Sequence, residues 1–355
     1  MISRLLKPWI GSMHIFLGML LCFATQGANL KSDIKNLSSP YNDTPNIIET
    51  KDGLLLVWAS GSRPGYADVT IQQSRWDGKT WSLPTMVASH TTKKTGAQQA
   101  CWNPVLTKVS NGQLALFYQV GLSRETWSGR MKISYDGGHS WTKERKLRKG
   151  IHGPIKNKAI ELKDGRLLCP SATANAGWRV HLEFVTPFRE NWGFMKTKPL
   201  NFPGEYRATE PSILMHDDQN IQVLCRTKQG YLTEFWSYNG AKSWQPMERL
   251  AIPAPNSGFD AVKLNDGRFA IVYNHSPKLT DRINLAISPN GKDWEAIEVL
   301  DQGPSEHFQN PSIIQTKNNQ VHIVYTINQN RFQHVQMDPT LFRGKPIANG
   351  IWPIL

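Results

Sequence analysis

Short apolar runs rich in Val, Ile, Leu and aromatic residues recur along the chain, each cut off by turn residues, and almost no stretch carries the 3.6-residue period of a helix. Asp52-Gly53, Asn111-Gly112, Asp164-Gly165, Asp218-Gln219, Asp266-Gly267 and Asn318-Asn319 each sit between two such runs, as tight hairpin turns do. Successive turns are 48 to 59 residues apart, so the chain repeats one supersecondary unit six times. Each unit opens with a short strand such as Pro45–Glu49, Pro104–Thr107, Pro211–Leu214 or Pro311–Ile314. A second strand follows the turn, as at Leu54–Trp58, Leu114–Tyr118 and Phe269–Tyr273.

A third strand ends in another punctuated hairpin, clearest in Ser134-Tyr-Asp136-Gly-Gly138-His-Ser-Trp141. Ser and Asp side chains at this spacing bond backbone within the turn, and the glycine takes a left-handed conformation. Degenerate copies lie at Ser74 to Trp81, Ser237 to Trp244 and Ser288 to Trp294, with a remnant at Thr186 to Trp192. Six units of four antiparallel strands predict an all-β, six-bladed β-propeller with four-stranded antiparallel blades, in which radial repetition leaves only short sheet edges. The last unit lacks an outer strand. The stretch Leu30 to Leu37 is expected to supply it and close the ring, the alternative being the tail from Ile347 to Leu355.

The first residues break the pattern. Arg4 and Lys7 precede an apolar run from Ile15 to Ala24, then Thr25, Gly27 and Ala28, which is the layout of a signal peptide. We expect a leader over residues 1–28, one propeller domain over 29–355, and a secreted or periplasmic protein with no membrane span after cleavage. Leu21 stands before Cys22 where a lipid anchor needs a small residue, which argues against anchoring. Cys101, Cys169 and Cys225 have no metal or redox spacing, and buried free thiols are expected. No motif binds a metal or cofactor, and none is expected; nor does anything demand an oligomer, so a monomer is.

The chain carries 41 Lys and Arg against 28 Asp and Glu, with 13 Trp. Such a surface suits nucleic acid or acidic sugar. Export and the lack of a Lys/Arg block or nucleic-acid module favour an acidic oligosaccharide or polysaccharide as partner.

The repeat also predicts where a site lies. Loops entering the innermost strands and loops joining second to third strands open on one face, and the Ser-x-Asp turns on the other. The second-to-third loops supply Arg63 and Asp68, Arg226 and Lys228, Asn274, His275 and Arg282, and Gln329 and Arg331. The entering loops supply Trp102, Asn103, Lys156, Asn157, Lys158, Glu210, Asn256, Asp260, Glu306, His307 and Asn310. Arginines converging from several blades suit a sugar carboxylate, which their planar forks bind in bidentate fashion. Asp68, Glu210 and Asp260 are candidate acids or bases, turn caps or partners of arginine. Glu183 is a candidate interblade salt bridge.

Gly153-Pro-Ile-Lys-Asn-Lys158, Leu224-Cys-Arg226, Pro255-Asn-Ser-Gly258, Asp266-Gly-Arg268, Val272-Tyr-Asn274-His275 and Val321-His-Ile-Val-Tyr325-Thr326 resemble the sialidase-like proteins with BNR, or Asp-box, repeats. The resemblance runs from about Tyr41 to Pro339 and implies a six-bladed fold. It implies Arg63, Arg226 and Arg282 or Arg331 as carboxylate clamps and Asp68 as acid/base. The chain departs from that family at Ser62-Arg-Pro-Gly65, at Gln329, and at Phe308-Gln-Asn-Pro311, where relatives carry a tyrosine; Phe308 cannot be a nucleophile. Three functions stay open. The first is an exo-acting glycoside hydrolase on terminal acidic sugars. The second is a lyase or atypical hydrolase on a uronic-acid polysaccharide with Tyr273, His275 or His307 as base or acid. The third is a non-catalytic glycan-binding propeller.

Overall fold

The computed structural model describes residues 29–174, 177–187 and 192–355. The expected leader over 1–28 lies outside them. Among the described residues no helix is long and apolar enough to cross a membrane.

Six antiparallel sheets follow one another around the ring. Blade 1 runs outward from Tyr41–Thr50 through Gly53–Gly61 and Thr70–Trp76 to Thr85–Ala88. Blades 2, 3 and 4 repeat the order with inner strands Cys101–Lys108, Ile160–Glu161 and Ala208–Met215. Blade 5 begins at Asp260–Lys263, and its outer strand Glu295–Gln302 takes on a fifth, Lys345–Pro346. Blade 6 runs Phe308–Gln315, Val321–Ile327, Arg331–Met337, and is completed by Leu30–Asp33. The N-terminal segment therefore closes the ring, while the tail thickens blade 5.

The core is distributed rather than central. Six apolar clusters form, one between each pair of adjacent blades, for instance Leu55, Val57 and Leu116 between blades 1 and 2 and Ile47, Trp58 and Phe332 between blades 6 and 1. Both faces of each sheet are thus covered, which explains why the second strands are continuously apolar instead of alternating. Cys101, Cys169 and Cys225 are free and buried in these wedges.

The Ser-x-Asp turns tie blades together. Ser134 Oγ donates to Asp136 (2.7 Å) and accepts from the Gly138 N–H (2.7 Å), while Trp141 Nε1 donates to Gln73 of blade 1 (3.1 Å). Gly138 has φ +87°, and a Cβ there would strike Leu55. Asn239 and Asn290 play the aspartate's part after Ser237 and Ser288. The copy at Ser74 closes differently: Asp77, one position later than the pattern requires, accepts the N–H groups of Lys79 and Thr80.

Candidate functional site

Four inner strands carry the same irregularity. Their pairing slips between Asp43 and Asn46, Trp102 and Val105, Thr209 and Ser212, and Gln309 and Ser312. At each slip a residue before proline adopts left-handed backbone: Thr44 (φ 53°), Asn103 (43°), Glu210 (49°) and Asn310 (49°). That conformation is uncommon without glycine and is further disfavoured before proline. Bulges of this kind re-aim side chains, and all four point into one cavity of about 210 Å³ at the channel mouth. Pro64, Arg124 and Gln329 reach it from the second-to-third loops and Arg226 from the end of the second strand of blade 4, so the two loop classes do meet on one face.

Two carboxylates face this cavity in unlike surroundings. Asp43 is buried and is held by the Thr44 N–H (2.7 Å), Asn310 Nδ2 (2.8 Å) and Gln329 Nε2 (3.1 Å), all uncharged donors. Burial outweighs these bonds and pushes its pKa above the ordinary carboxylate range. Glu210 instead accepts from Arg226 Nη2 at 2.7 Å, both residues being buried. Glu210 Oε2 and Arg226 Nε have no partner within the protein, an acceptor and a donor left over at the mouth. Tyr41 lines the same wall; burial and the neighbouring Asp43 push its phenol well up.

Of the residues nominated from sequence, Glu210, Arg226 and Asn256 line this cavity together with Trp102, Asn103, Asn310 and Gln329. Lys156, Asn157 and Lys158 form the axle beneath it. Lys156 Nζ donates to Pro311 O (2.6 Å) and Asn157 Nδ2 to Glu210 O (3.0 Å) and Pro211 O (3.1 Å), so these side chains brace two of the bulges. Burial lowers Lys156 to about 8. Lys158 is ion-paired with buried Asp260, whose carboxylate also accepts the Ile313 N–H (3.0 Å), joining blades 3, 5 and 6.

The remaining nominees lie elsewhere. Asp68 caps its own loop, accepting from Ser62 N (2.9 Å) and Oγ (3.0 Å). Arg63 is exposed over Tyr66, Arg282 pairs with Asp281 (3.2 Å) and Arg331 with Glu306 (3.0 Å). Tyr273 donates to or accepts from His275 Nδ1 (2.6 Å), while His275 Nε2 meets Gly350 O (3.0 Å) and the ring faces Trp352, so the tail covers this pair. Asn274 Nδ2 is spent on the carbonyls of Arg282 and Phe308. Glu183 receives the His152 and Gly153 N–H groups (2.9 and 2.7 Å) and His181 (3.0 Å), a cap within blade 3 and its approach instead of a bridge between blades. Sequence reasoning missed Tyr41, Asp43 and Arg124. The signal for Asp43 is the shared Pro: Asp43-Thr44-Pro45 aligns with Trp102-Asn103-Pro104, Thr209-Glu210-Pro211 and Gln309-Asn310-Pro311.

Comparison with solved structures returns this architecture. A protein of unknown function from Dyadobacter fermentans is 16% identical with a TM-score of 0.70, covering 87% of this chain and 98% of that one. The NanB sialidase from Streptococcus pneumoniae is 12% identical with a TM-score of 0.68, covering 87% and 70%. The Trypanosoma rangeli sialidase is 14% identical with a TM-score of 0.66; this chain covers only 60% of its length. At these identities the likeness is one of fold. No curated protein matches the chain. The family model for the BNR repeat-like domain matches residues 52–323, and with five of the six blades wholly or largely inside that span the chain belongs to the BNR repeat-like family.

Proposed function

We propose that the mouth takes the terminal sugar of an acidic glycan and hydrolyses its glycosidic bond, with Asp43 as proton donor and Glu210 as the second carboxylate. The observation that carries this is the unlike pair in one cavity: Asp43, buried among uncharged donors with its pKa raised by that burial, and Glu210, ion-paired with Arg226. Carboxyl groups set apart in this way supply the acid and the base or nucleophile of glycoside cleavage. Among the described residues Glu210 is the one carboxylate ion-paired with Arg226, and Arg124 is paired with none, so a sugar carboxylate has a guanidinium left to bind. Phe308 and the elevated Tyr41 phenol both speak against a tyrosine nucleophile. The cavity is the size of one sugar unit, which suits removal of chain ends. The leader over residues 1–28 would deliver the protein to where such glycans lie.

The test is release of sugar from sialosides and from uronic-acid oligosaccharides, compared with Asp43→Asn and Glu210→Gln. Each substitution is expected to lower kcat by about 10²–10⁴ while binding persists. Wild-type activity should fall as pH rises through the elevated Asp43 value. Full turnover by Asp43→Asn refutes the assignment, and tight binding without turnover by wild type leaves a glycan-binding protein in place of an enzyme.

A further inference from the structure

Beside the pocket three cations surround one indole. Lys228 Nζ stands 4.1 Å from the Trp178 ring centroid, and the guanidinium carbons of Arg124 and Arg226 stand at 5.6 Å each. They come from three blades: Arg124 from the loop of blade 2, Trp178 from blade 3, and Arg226 and Lys228 from blade 4. Trp178 itself sits at φ 69°, left-handed backbone that a bulky residue adopts only under constraint. Arg124 also lies 5.9 Å over Trp127, which leans on Trp102 (5.4 Å) at the cavity wall.

Among the described residues the only carboxylate paired with this trio is Glu210, on Arg226. Indole faces attract cations, yet they do not cancel the mutual repulsion of three like charges held around one ring. Arg226, buried, keeps an unpartnered Nε–H as well. The excess charge is therefore two, one more than the carboxylate of a single terminal sugar neutralises.

Resting on the hydrolase reading above, we propose that Lys228 and Trp178 form a second anion subsite on the leaving-group side, with Arg124 shared between it and the terminal sugar's carboxylate, and that this subsite takes the acidic group of the adjacent sugar. The preferred substrate then carries negative groups on two consecutive sugars. Either a carboxylate or a sulfate ester satisfies the exposed ammonium and guanidinium donors.

The test uses the full chain carrying Asp43→Asn, so that calorimetry reads binding whether or not wild type turns over. Ligands are monosialyl- against disialyllactose, galacturonate against trigalacturonate, and a chondroitin sulfate tetrasaccharide as the sulfate arm. The paired anions should bind about tenfold tighter than the single ones, the worth of one charge-assisted hydrogen bond. Adding Lys228→Gln should abolish that preference and Lys228→Arg should retain it. Equal affinity for single and paired anions, a preference untouched by Lys228→Gln, or no binding at all overturns the subsite. Wild-type turnover of monosialyllactose without any paired preference overturns it alone, whereas a paired preference without turnover overturns only the hydrolase.

Discussion

Replacing Asp260 with alanine separates a structural role at the axis from a chemical one. Its side chain is 2% exposed, its oxygens receive Lys158 Nζ and the N–H groups of Ile313 (3.0 Å) and Ala261 (2.9 Å), and it thereby joins blade 5 to blades 3 and 6. Removing one partner of a buried ion pair strands the other charge and costs about 3–5 kcal/mol. The orphaned Ile313 N–H adds about 1–3 kcal/mol. A loss of at least about 4 kcal/mol is expected, a large part of the stability of an ordinary domain. Lys158→Met should cost slightly less, because Asp260 keeps its two backbone donors.

The double variant Lys158→Met with Asp260→Leu removes both charges, so its loss should fall well short of the sum of the two single losses. The assay is urea unfolding followed by tryptophan fluorescence, with unchanged m-values showing that stability alone has shifted. A loss under about 1 kcal/mol for Asp260→Ala, or strict additivity in the double variant, refutes the idea that this pair holds the axis together.

Three further outcomes are expected. Because burial raises Asp43 in the fold, its stabilising proton is fully held below the unfolded value of about 3.9 and lost as pH rises through the native value, so Asp43→Asn should resist urea better than wild type at pH 8 and no better at pH 4; the same offset at both pH values contradicts this. His322 and His334, stacked and bonded ring to ring at 3.0 Å, are lowered by burial to about 4 and about 3, so stability present above pH 6.5 should fall as pH drops toward 4, by about 2 kcal/mol at pH 5 for His322 alone; a flat urea midpoint between pH 7 and 5 contradicts it. Deleting residues 29–34 removes the closing strand and buried Ile34, whose burial alone is worth about 2 kcal/mol, and should lower the urea midpoint and speed proteolysis; an unchanged midpoint would mean the ring closes without it.

The fold was legible because its signals are local. Asp-Gly and Asn-Gly turns and the Ser134 to Trp141 box act within a few residues, so six copies could be counted without knowing what packs on what. The closing strand followed from a missing partner. Of the site, Glu210, Arg226 and Asn256 were legible from loop class. The directions of Lys156 and Lys158 were not, since a cation is spent or free according to which carbonyls and carboxylates face it from other blades. Lys156 finds Pro311 O, 155 residues away. Arg282 did carry a local clue in its neighbour Asp281, and Arg331 did not, its partner Glu306 lying 25 residues off. Asp43 escaped because the first inner strand was read from Pro45 onward, although the strand begins at Tyr41.

What makes a site out of a repeat is a repeated departure from it. A regular inner strand would send alternate side chains into the blade interfaces, where apolar residues belong. At Thr44, Asn103, Glu210 and Asn310 the left-handed residue before proline breaks the ladder and aims a polar side chain at the axis instead. Asn157 and Lys156 then bond the carbonyls that these breaks release at Glu210, Pro211 and Pro311. The strain is thus held by groups from blade 3, which lacks an X-Pro bulge and contributes the brace. Blade 5 reaches the same place with Gly258, where a Cβ would collide with Asn310. The blades are therefore specialised within the inner strand, or in blades 3 and 5 just before it, and the mouth acquires its carboxylates and amides without any change to the apolar wedges that hold the ring together.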